Sequence, residues 1–567
     1  MRGAVIGCEN SLMWKSNITA VLVVSLVLAS CGGGDDSSAA PPRAVLSSPA
    51  AGVTLDKPAV TFSWEAVSGA LVYYLYVGTT PGAKDVVDSG EITATSLAWS
   101  NLPTGRTLYT QLWTKSADGW FATDSSFSVA PQAVRHAVIY SRAGSAGGPD
   151  LYLVDADGTE SVMLAGSPDR ELFAGVAGRR VVYLRMSDSG LGDAYSVLLD
   201  GTGTVPLANS AYSEAVVATI GDRVIYQRDV PSGVPDVYIV DADGTHTIGL
   251  ATTPDYERFA GTAGSRVVYE RVPSPAQSDL YSVLADGSAT ALLAASPDPE
   301  MLAGVAGEHV VYQRLSAAGA LDLYAVNADG TATATLADTG DSEQFAAIVG
   351  DRVIYHRYVG VRTRLFSVKF DGSGTTELDT SGDDATFAGL AGDRVVYHRV
   401  DGAGDSDVHA VNADGSAPAT LADSADDEYF GGVVGNRVVY QRSASRQLDL
   451  YAVAPDGTGT VALATTPQYE AFAGSVGDRV VFSKYTEPAD SSQRDLASVS
   501  VDGSGAATLA DSPESEFFAG IAGSRVIYQR ISATGGLDLY SVNTDGTRTT
   551  PLAVSTDTEQ FAAAISY

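Results

Sequence analysis

The sequence predicts an all-β chain, a small β-sandwich followed by a β-propeller of ten four-stranded blades, on three observations. The Gly of an Asp-Gly turn recurs at positions 158, 201, 244, 287, 330, 372, 415, 457, 503 and 546, a period of about 43 residues. Each period carries four short apolar runs, the content of one propeller blade. Ahead of the repeats, residues 43–130 alternate apolar and polar positions in short runs such as TFSW, LVYYLYV and LYTQLW, broken by Gly, Pro and Asp, which is sandwich patterning.

Composition sets the bounds. The chain has 567 residues, 45% apolar and 18% charged, with 59 Gly, which excludes collagen, a coiled coil and wholesale disorder. Lys plus Arg total 35 against 68 Asp plus Glu, a formal charge of −33, so nucleic acid and anionic membrane surfaces are poor partners and cationic or neutral ones fit. The two cysteines, Cys8 and Cys31, leave no disulfide framework or Cys-based zinc site further along.

The N-terminus reads as an address. Residues 17–30, NITAVLVVSLVLAS, are too short for a comfortable membrane span and lie between Lys15 and Cys31, the pattern of a signal peptide over residues 1–30. Leu28-Ala29-Ser30-Cys31 resembles a bacterial lipobox, which implies lipidation of Cys31 and membrane attachment through that lipid anchor only. Residues 31–42, CGGGDDSSAAPP, would be a flexible tether. Gly32 in place of Asp, by analogy with enterobacterial sorting, points to the outer membrane.

The sandwich segment, residues 43–130, holds four of the five tryptophans, Trp64, Trp99, Trp113 and Trp120. It resembles a fibronectin type III domain, with Trp64 at the early-strand core position and Leu102-Pro103 leading to Tyr109 like a tyrosine corner. The resemblance implies a spacer or a weak binding module.

From residue 135 to 567 each repeat supplies a small-residue inner strand (FAGVAG at 173–178), a second strand RVVYxR, a third DLYxV and a fourth after the Asp-Gly turn. The first repeat, beginning at Ala137-Val138-Ile139-Tyr140, lacks an inner strand, and Glu559 to Ile565 form one with no blade of its own, so the tail should complete blade one. Two five-bladed propellers or an open spiral are the alternatives. Through DLYxVxADGT and the following LAxSPD, the repeats resemble TolB-type, WD40-like propeller units over about 430 residues, although no tryptophan occurs in them. The resemblance implies envelope proteins that bind protein partners, or platforms for enzyme domains.

Two charged patterns recur. Arg142, Arg185, Arg228, Arg271, Arg314, Arg357, Arg399, Arg442 and Arg530 end the second strand, and Asp150, Asp193, Asp236, Asp279, Asp322, Asp407, Asp449 and Asp538 open the third. Antiparallel pairing predicts a cross-strand Arg–Asp ion pair. Repeat six has Arg364 at the Asp position, and repeat nine uses Lys484 with Asp495. Glu171, Glu214, Glu257, Glu300, Glu343, Glu428, Glu470, Glu516 and Glu559 precede the inner-strand aromatic or aliphatic position by two, with Ala385 the exception. They are the candidate ligand-binding rim at the channel mouth, attracting cationic ligands; the competing reading pairs each Glu with the neighbouring Arg.

The DADGT segments at 155–159 and 241–245 are explained by turn chemistry and lack the further ligands of a calcium loop. The six histidines, 136, 246, 309, 356, 398 and 409, form no metal-spaced cluster, though His356 and His398 hold equivalent places in adjacent repeats. No nucleophile elbow or phosphate-binding loop occurs. No catalytic residue, metal or cofactor is therefore assigned. The expectation is a monomeric, lipid-anchored envelope scaffold whose propeller face binds a protein or glycan. The alternative is a carbohydrate-active enzyme, a polysaccharide lyase or glycosidase, working in the channel.

Overall fold

Forty-eight strands and no helix form from the described residues, as the short alternating runs require. The computed structural model describes residues 43–100, 102–131, 134–143, 147–229, 233–274, 277–444, 447–485 and 493–567. The signal peptide, the tether and Cys31 lie outside them. The chain divides between 133 and 134 into two compact units.

The first unit is a sandwich of eight strands: β1 (Leu46–Ser48), β2 (Thr54–Leu55), β3 (Val60–Trp64), β4 (Val72–Gly78), β5 (Val87–Asp88), β6 (Ser96–Trp99), β7 (Arg106–Ser116) and β8 (Gly119–Val129). One sheet runs β1-β3-β6 and the other β2-β8-β7-β4-β5. Alternate residues of each turn inward, so Phe62, Trp64, Tyr73, Leu75, Val77, Leu108, Leu112 and Phe127 make one core. Trp64 meets Tyr73 edge-on at 5.6 Å, and the Tyr73 hydroxyl accepts the Val67 N–H at 2.9 Å.

The second unit holds ten four-stranded antiparallel sheets. We name the strands of each blade a to d from the centre outwards. Blade five is typical: Glu300–Ala306, His309–Leu315, Leu321–Asn327 and Ala334–Ala337. The a strands crowd at the axis, which explains their small residues. A Cβ on Gly304 would lie 2.5 Å from the Phe345 ring of blade six, so the glycine makes room for that ring at this position. Between c and d, Gly158 takes φ +81° while Asp157 Oδ1 accepts the Thr159 N–H at 3.0 Å and its hydroxyl at 2.6 Å; this is the turn chemistry expected of DADGT.

Ten apolar clusters lie between successive blades, and their membership shows one closed ring. Val311 and Leu323 of blade five pack on Val353, Tyr355 and Val368 of blade six, and Ile527 and Leu539 of blade ten pack on Val138 and Tyr140 of blade one. The join between five and six is therefore built like the others, which excludes two five-bladed rings. A hydroxyl repeats the lesson: Ser196, Ser282 and Ser367 donate to the carbonyls of Ala242, Ala328 and Ala413 in the next blade at 2.5 Å, and Ser541 donates to Ala156 at 2.6 Å across the closure.

Blade one takes its a strand from the end of the chain. Thr558–Ser566 pairs antiparallel with His136–Ala143, Glu559 opposite Arg142 and Phe561 opposite Tyr140. Arg135 and Tyr567 exchange backbone hydrogen bonds of 2.9 and 3.0 Å, and His136 Nδ1 meets Ser566 Oγ at 2.7 Å. Deleting residues 558–567 leaves the inner edge of His136–Ala143 unpaired and opens the ring. The expected fall in urea midpoint is far larger than the ~1–2 kcal/mol of an ordinary point substitution, and larger than that of an equal deletion within 31–42; an unchanged midpoint would mean the ring does not depend on this strand.

Candidate functional site

In each regular blade the register sets three charged residues in a row across strands a, b and c: Glu171 opposite Arg185 opposite Asp193, Glu300 opposite Arg314 opposite Asp322. Sequence spacing predicted an Arg–Asp ion pair. The structure instead turns the guanidinium toward the glutamate. Nε of Arg142, Arg185, Arg228, Arg271, Arg314, Arg357, Arg442 and Arg530 lies 2.9–3.3 Å from Oε1 of Glu559, Glu171, Glu214, Glu257, Glu300, Glu343, Glu428 and Glu516.

Aromatic stacking aims the arginine. The Arg314 guanidinium lies 4.4 Å from the Tyr324 ring centre on strand c, and that ring stacks at 5.3 Å on Tyr312 of strand b; the other regular blades repeat the ladder. A hydroxyl four residues upstream completes the clamp. Ser167, Ser210, Thr339 and Ser424 donate to Oε1 of Glu171, Glu214, Glu343 and Glu428 at 2.5 Å, and Thr253, Thr466, Ser512 and Ser555 do the same for Glu257, Glu470, Glu516 and Glu559.

The accessible acidic rim therefore needs correction. Glu171, Glu214, Glu257, Glu300, Glu343, Glu428, Glu470, Glu516 and Glu559 are 0–2% exposed, a belt inside the ring rather than a rim facing solvent. The physical reason is the partnering: a carboxylate that gains a guanidinium and a hydroxyl can leave water, and an unpaired one cannot. Each regular blade still brings two carboxylates to one guanidinium. Oε2 of Glu171, Glu214, Glu300, Glu343, Glu470, Glu516 and Glu559 has no hydrogen-bond partner, nor has Oδ1 of Asp322, Asp407, Asp449, Asp495 and Asp538. The surplus charges meet between blades: burial, reinforced by Glu214 of the next blade, raises the Asp193 carboxyl above its ordinary value.

The belt changes between blades six and seven. Strand c of blade six has Arg364 for Asp, and strand a of blade seven has the fully buried Ala385 for Glu. Six residues before Ala385, where the other nine repeats have Ala, stands Asp379, 7% exposed, with one oxygen accepting the Ser381 N–H and the other unpartnered. Asp379 acts electrostatically on Tyr397 and on His409, which takes the place of the strand c tyrosine and stacks on Tyr397 at 5.6 Å. The lost carboxylate is thus returned from the preceding blade. Arg399, without its own glutamate, approaches Asp407 at 3.6 Å, Asp423 at 3.9 Å and Asp383 at 4.0 Å, and Arg364 pairs with Glu377. Burial, with Asp423 and Asp405 adding to it, pushes Asp407 up to about 6 and, with Arg399, His409 down to about 4. In blade nine Lys484 stands between Glu470 and Asp495 in register.

His356 and His398 do share a role, and it is structural. Their Nε2 atoms accept the backbone N–H of Phe387 and Phe430 in the next blade at 2.9 and 3.0 Å, as Gln441 Oε1 does for Phe472 at 2.7 Å. Burial lowers the pKa of both. No group of three or more potential metal ligands occurs among the described residues. Sequence reading missed Asp379 and His409, although aligning the ten repeats position by position would have exposed both.

No protein-family model matches the chain, and no curated protein matches it in sequence. Solved structures do. Puromycin hydrolase is 14% identical over 63% of this chain and 55% of its own, with a TM-score of 0.30. TolB from Acinetobacter baumannii is 14% identical over 48% and 75%, with a TM-score of 0.24, and the tricorn protease 10% over 90% and 58%, with a TM-score of 0.29. The chain spans about half the length of the hydrolase it matches. The propeller assignment itself rests on the sheet topology described above.

Truncating one member of a clamp costs the other its hydrogen bond. Glu300→Ala removes the hydrogen-bonded carboxylate of Arg314 and leaves it only Asp322 beside a buried space, an expected loss of about 1–3 kcal/mol in chemical denaturation, with Glu300→Gln losing less; equal midpoints for wild type and Glu300→Ala would contradict the clamp.

Stability should also peak in mild acid. Burial raises the carboxyls of Glu171, Glu257, Glu470, Glu516, Asp193, Asp322 and Asp538, and Asp407 to about 6. The native ring then holds protons that the unfolded chain has released, so stability grows as pH falls from 7 through 6. His356, His398 and His409 oppose this below about 6.5, and His409, pushed down to about 4, offsets Asp407, but the raised carboxyls outnumber these three. The turn aspartates, such as Asp157, Asp329 and Asp545, are held low by the Thr hydroxyl and N–H they accept, and their contribution is lost below about pH 4. Tm should rise from pH 7.5 to 5.5 and drop below 4; a Tm that falls between 7.5 and 5.5 would reverse the sign assigned here.

Proposed function

We propose that the protein is a cell-envelope scaffold, lipid-anchored through Cys31 at the outer membrane, whose propeller binds a protein or glycan partner on the face bearing the b–c loops. The observation that carries this reading is the contrast between two sets of exposed positions within one chain. On the c–d side, ten Asp-Gly turns repeat with Thr or Ser next, and the turn consumes their side chains. On the other side, the residue after each clamp glutamate is free to differ: Ala215, Arg258, Met301, Gln344, Tyr429 and Gln560 are all exposed there. Loop length varies too, from six residues between Arg357 and Arg364 to ten between Lys484 and Asp495. A constant clamp presenting changing side chains suits recognition of an irregular surface.

An enzyme of the lyase or glycosidase type would need carboxylates converging at one accessible place. Here the converging carboxylates are enclosed, so binding is the better reading. Met301 and Tyr429 are 36% and 41% exposed, so Met301→Asp with Tyr429→Asp should cut the yield of partner crosslinked from intact envelopes at least several-fold and move Tm little. An unchanged crosslinking pattern would remove this face from consideration. Acyl chains supply about 0.8 kcal/mol per buried CH₂, so Cys31→Ser should move the protein from the membrane fraction to the soluble one; retention in the membrane would end the lipid-anchor reading.

A further inference from the structure

The sandwich carries a surface that a spacer does not need. Side chains at i and i+2 share a sheet face, and the core takes Tyr73, Leu75, Val77, Leu108, Leu112 and Phe127. The opposite face of β4, β7 and β8 therefore presents Tyr74, Tyr76, Trp113 and Trp120. The register brings them together, with Tyr74 opposite Trp113, Tyr76 opposite Gln111, Gln111 opposite Asp124 and Lys115 opposite Trp120. Four partly exposed aromatic rings on one solvent-side sheet face are costly unless something covers them.

These rings are also held in place. Trp113 Nε1 donates to Gln111 Oε1 at 3.0 Å, and Gln111 Nε2 donates to Asp124 Oδ1 at 2.9 Å. The Tyr74 hydroxyl bonds to Asp88, and Tyr76 meets Tyr74 edge-on at 4.7 Å and Trp113 at 6.3 Å. The Lys84 ammonium, 2.5 Å from Asp88, lies 5.3 Å from the Tyr76 ring centre, and the Lys115 ammonium, 3.3 Å from Glu91, lies 5.1 Å from that of Trp120.

We propose that this face is a binding platform for a neutral glycan. Two lysines stand against three carboxylates, so the patch is close to balanced within a chain of net charge −33 and offers no field for a polyanion or a polycation. What it offers is apolar ring surface bordered by fixed donors and acceptors. That combination matches a pyranose, whose C–H face is apolar and whose rim is hydroxyl. The platform crosses two strand spacings, about 10 Å, room for a short run of sugar rings. A peptide strand would seek an unpaired sheet edge rather than this face. The site belongs to the sandwich and stands whether or not the propeller face binds a partner.

Apart from Trp14, every tryptophan of the chain lies in the sandwich, so intrinsic tryptophan fluorescence of the full protein reports on this unit. Titration with cellohexaose, laminarihexaose, mannohexaose and chitohexaose should give saturable binding for at least one, with Kd between about 10 μM and 1 mM. Trp120→Ala and Gln111→Ala, the second a polar change with little effect on packing, should each weaken it by about 3- to 10-fold. Trp99→Ala, on the other sheet, should leave it unchanged. The proposal is overturned if none of the four binds below ~10 mM, if Trp120→Ala and Gln111→Ala both bind as wild type, or if polygalacturonate or a peptide competes more strongly than every neutral oligosaccharide.

Discussion

A carboxylate without contact with water must be neutralised where it lies, and most of the propeller is arranged around doing so. In seven blades a strand a glutamate with at most 2% exposure takes an arginine from strand b and a hydroxyl from the preceding loop. The guanidinium must then approach from one side, and the stacked tyrosines of strands b and c fix that side. A one-residue slip of strand b would carry Arg to the opposite face and leave the acid alone in the interior. Ion pairs of this kind add little net stability over an apolar replacement, since desolvation consumes most of the attraction. Their effect is to make the wrong register expensive.

Ring architecture was legible because it follows from period and pairing. The spacing of the Asp-Gly turns fixed blade size, and the unmatched ends fixed the closure, both along-chain properties. Both candidate partners of each arginine were legible, the Asp across the b–c hairpin and the Glu of the competing reading, and the structure bears out the second in eight blades; spacing alone could not choose, because Glu and Asp sit opposite the same residue on two sides and the aromatic stack decides between them. Burial of the nine glutamates was hidden for a related reason: acid residues at regular intervals resemble a solvated rim until the neighbouring blade is present. Asp379 and His409 were missed because they matter only as departures from the repeat, at places where the other copies have Ala or, for the most part, an aromatic ring.

The seam between blades six and seven shows how such a repeat tolerates change. Loss of glutamate at Ala385 and gain of aspartate at Asp379 keep an acid near the same aromatic pair, although it now comes from another blade. Arg364 in place of aspartate removes the like charge that would have faced it. Changes that would each be damaging alone are tolerable together, the behaviour expected of residues in one electrostatic network. The seam is also where Asp407 and His409 titrate furthest from their ordinary ranges, toward each other, so one proton can be held there in either the folded or the unfolded chain across mild acid.

The pairing of Thr558–Ser566 with His136–Ala143 has a consequence for the order of events in biosynthesis. The two partners are separated by more than 400 residues, and the chain emerges from its N-terminus. Strand b of blade one must therefore wait, edge open, until the last residues have been made. The chain is in effect a loop of ten units nicked between strands a and b of one of them. A nick moved to any connection between strand d of one blade and strand a of the next, with residues 134 and 567 joined, would keep every blade and interface while letting the first blade to emerge complete itself at once.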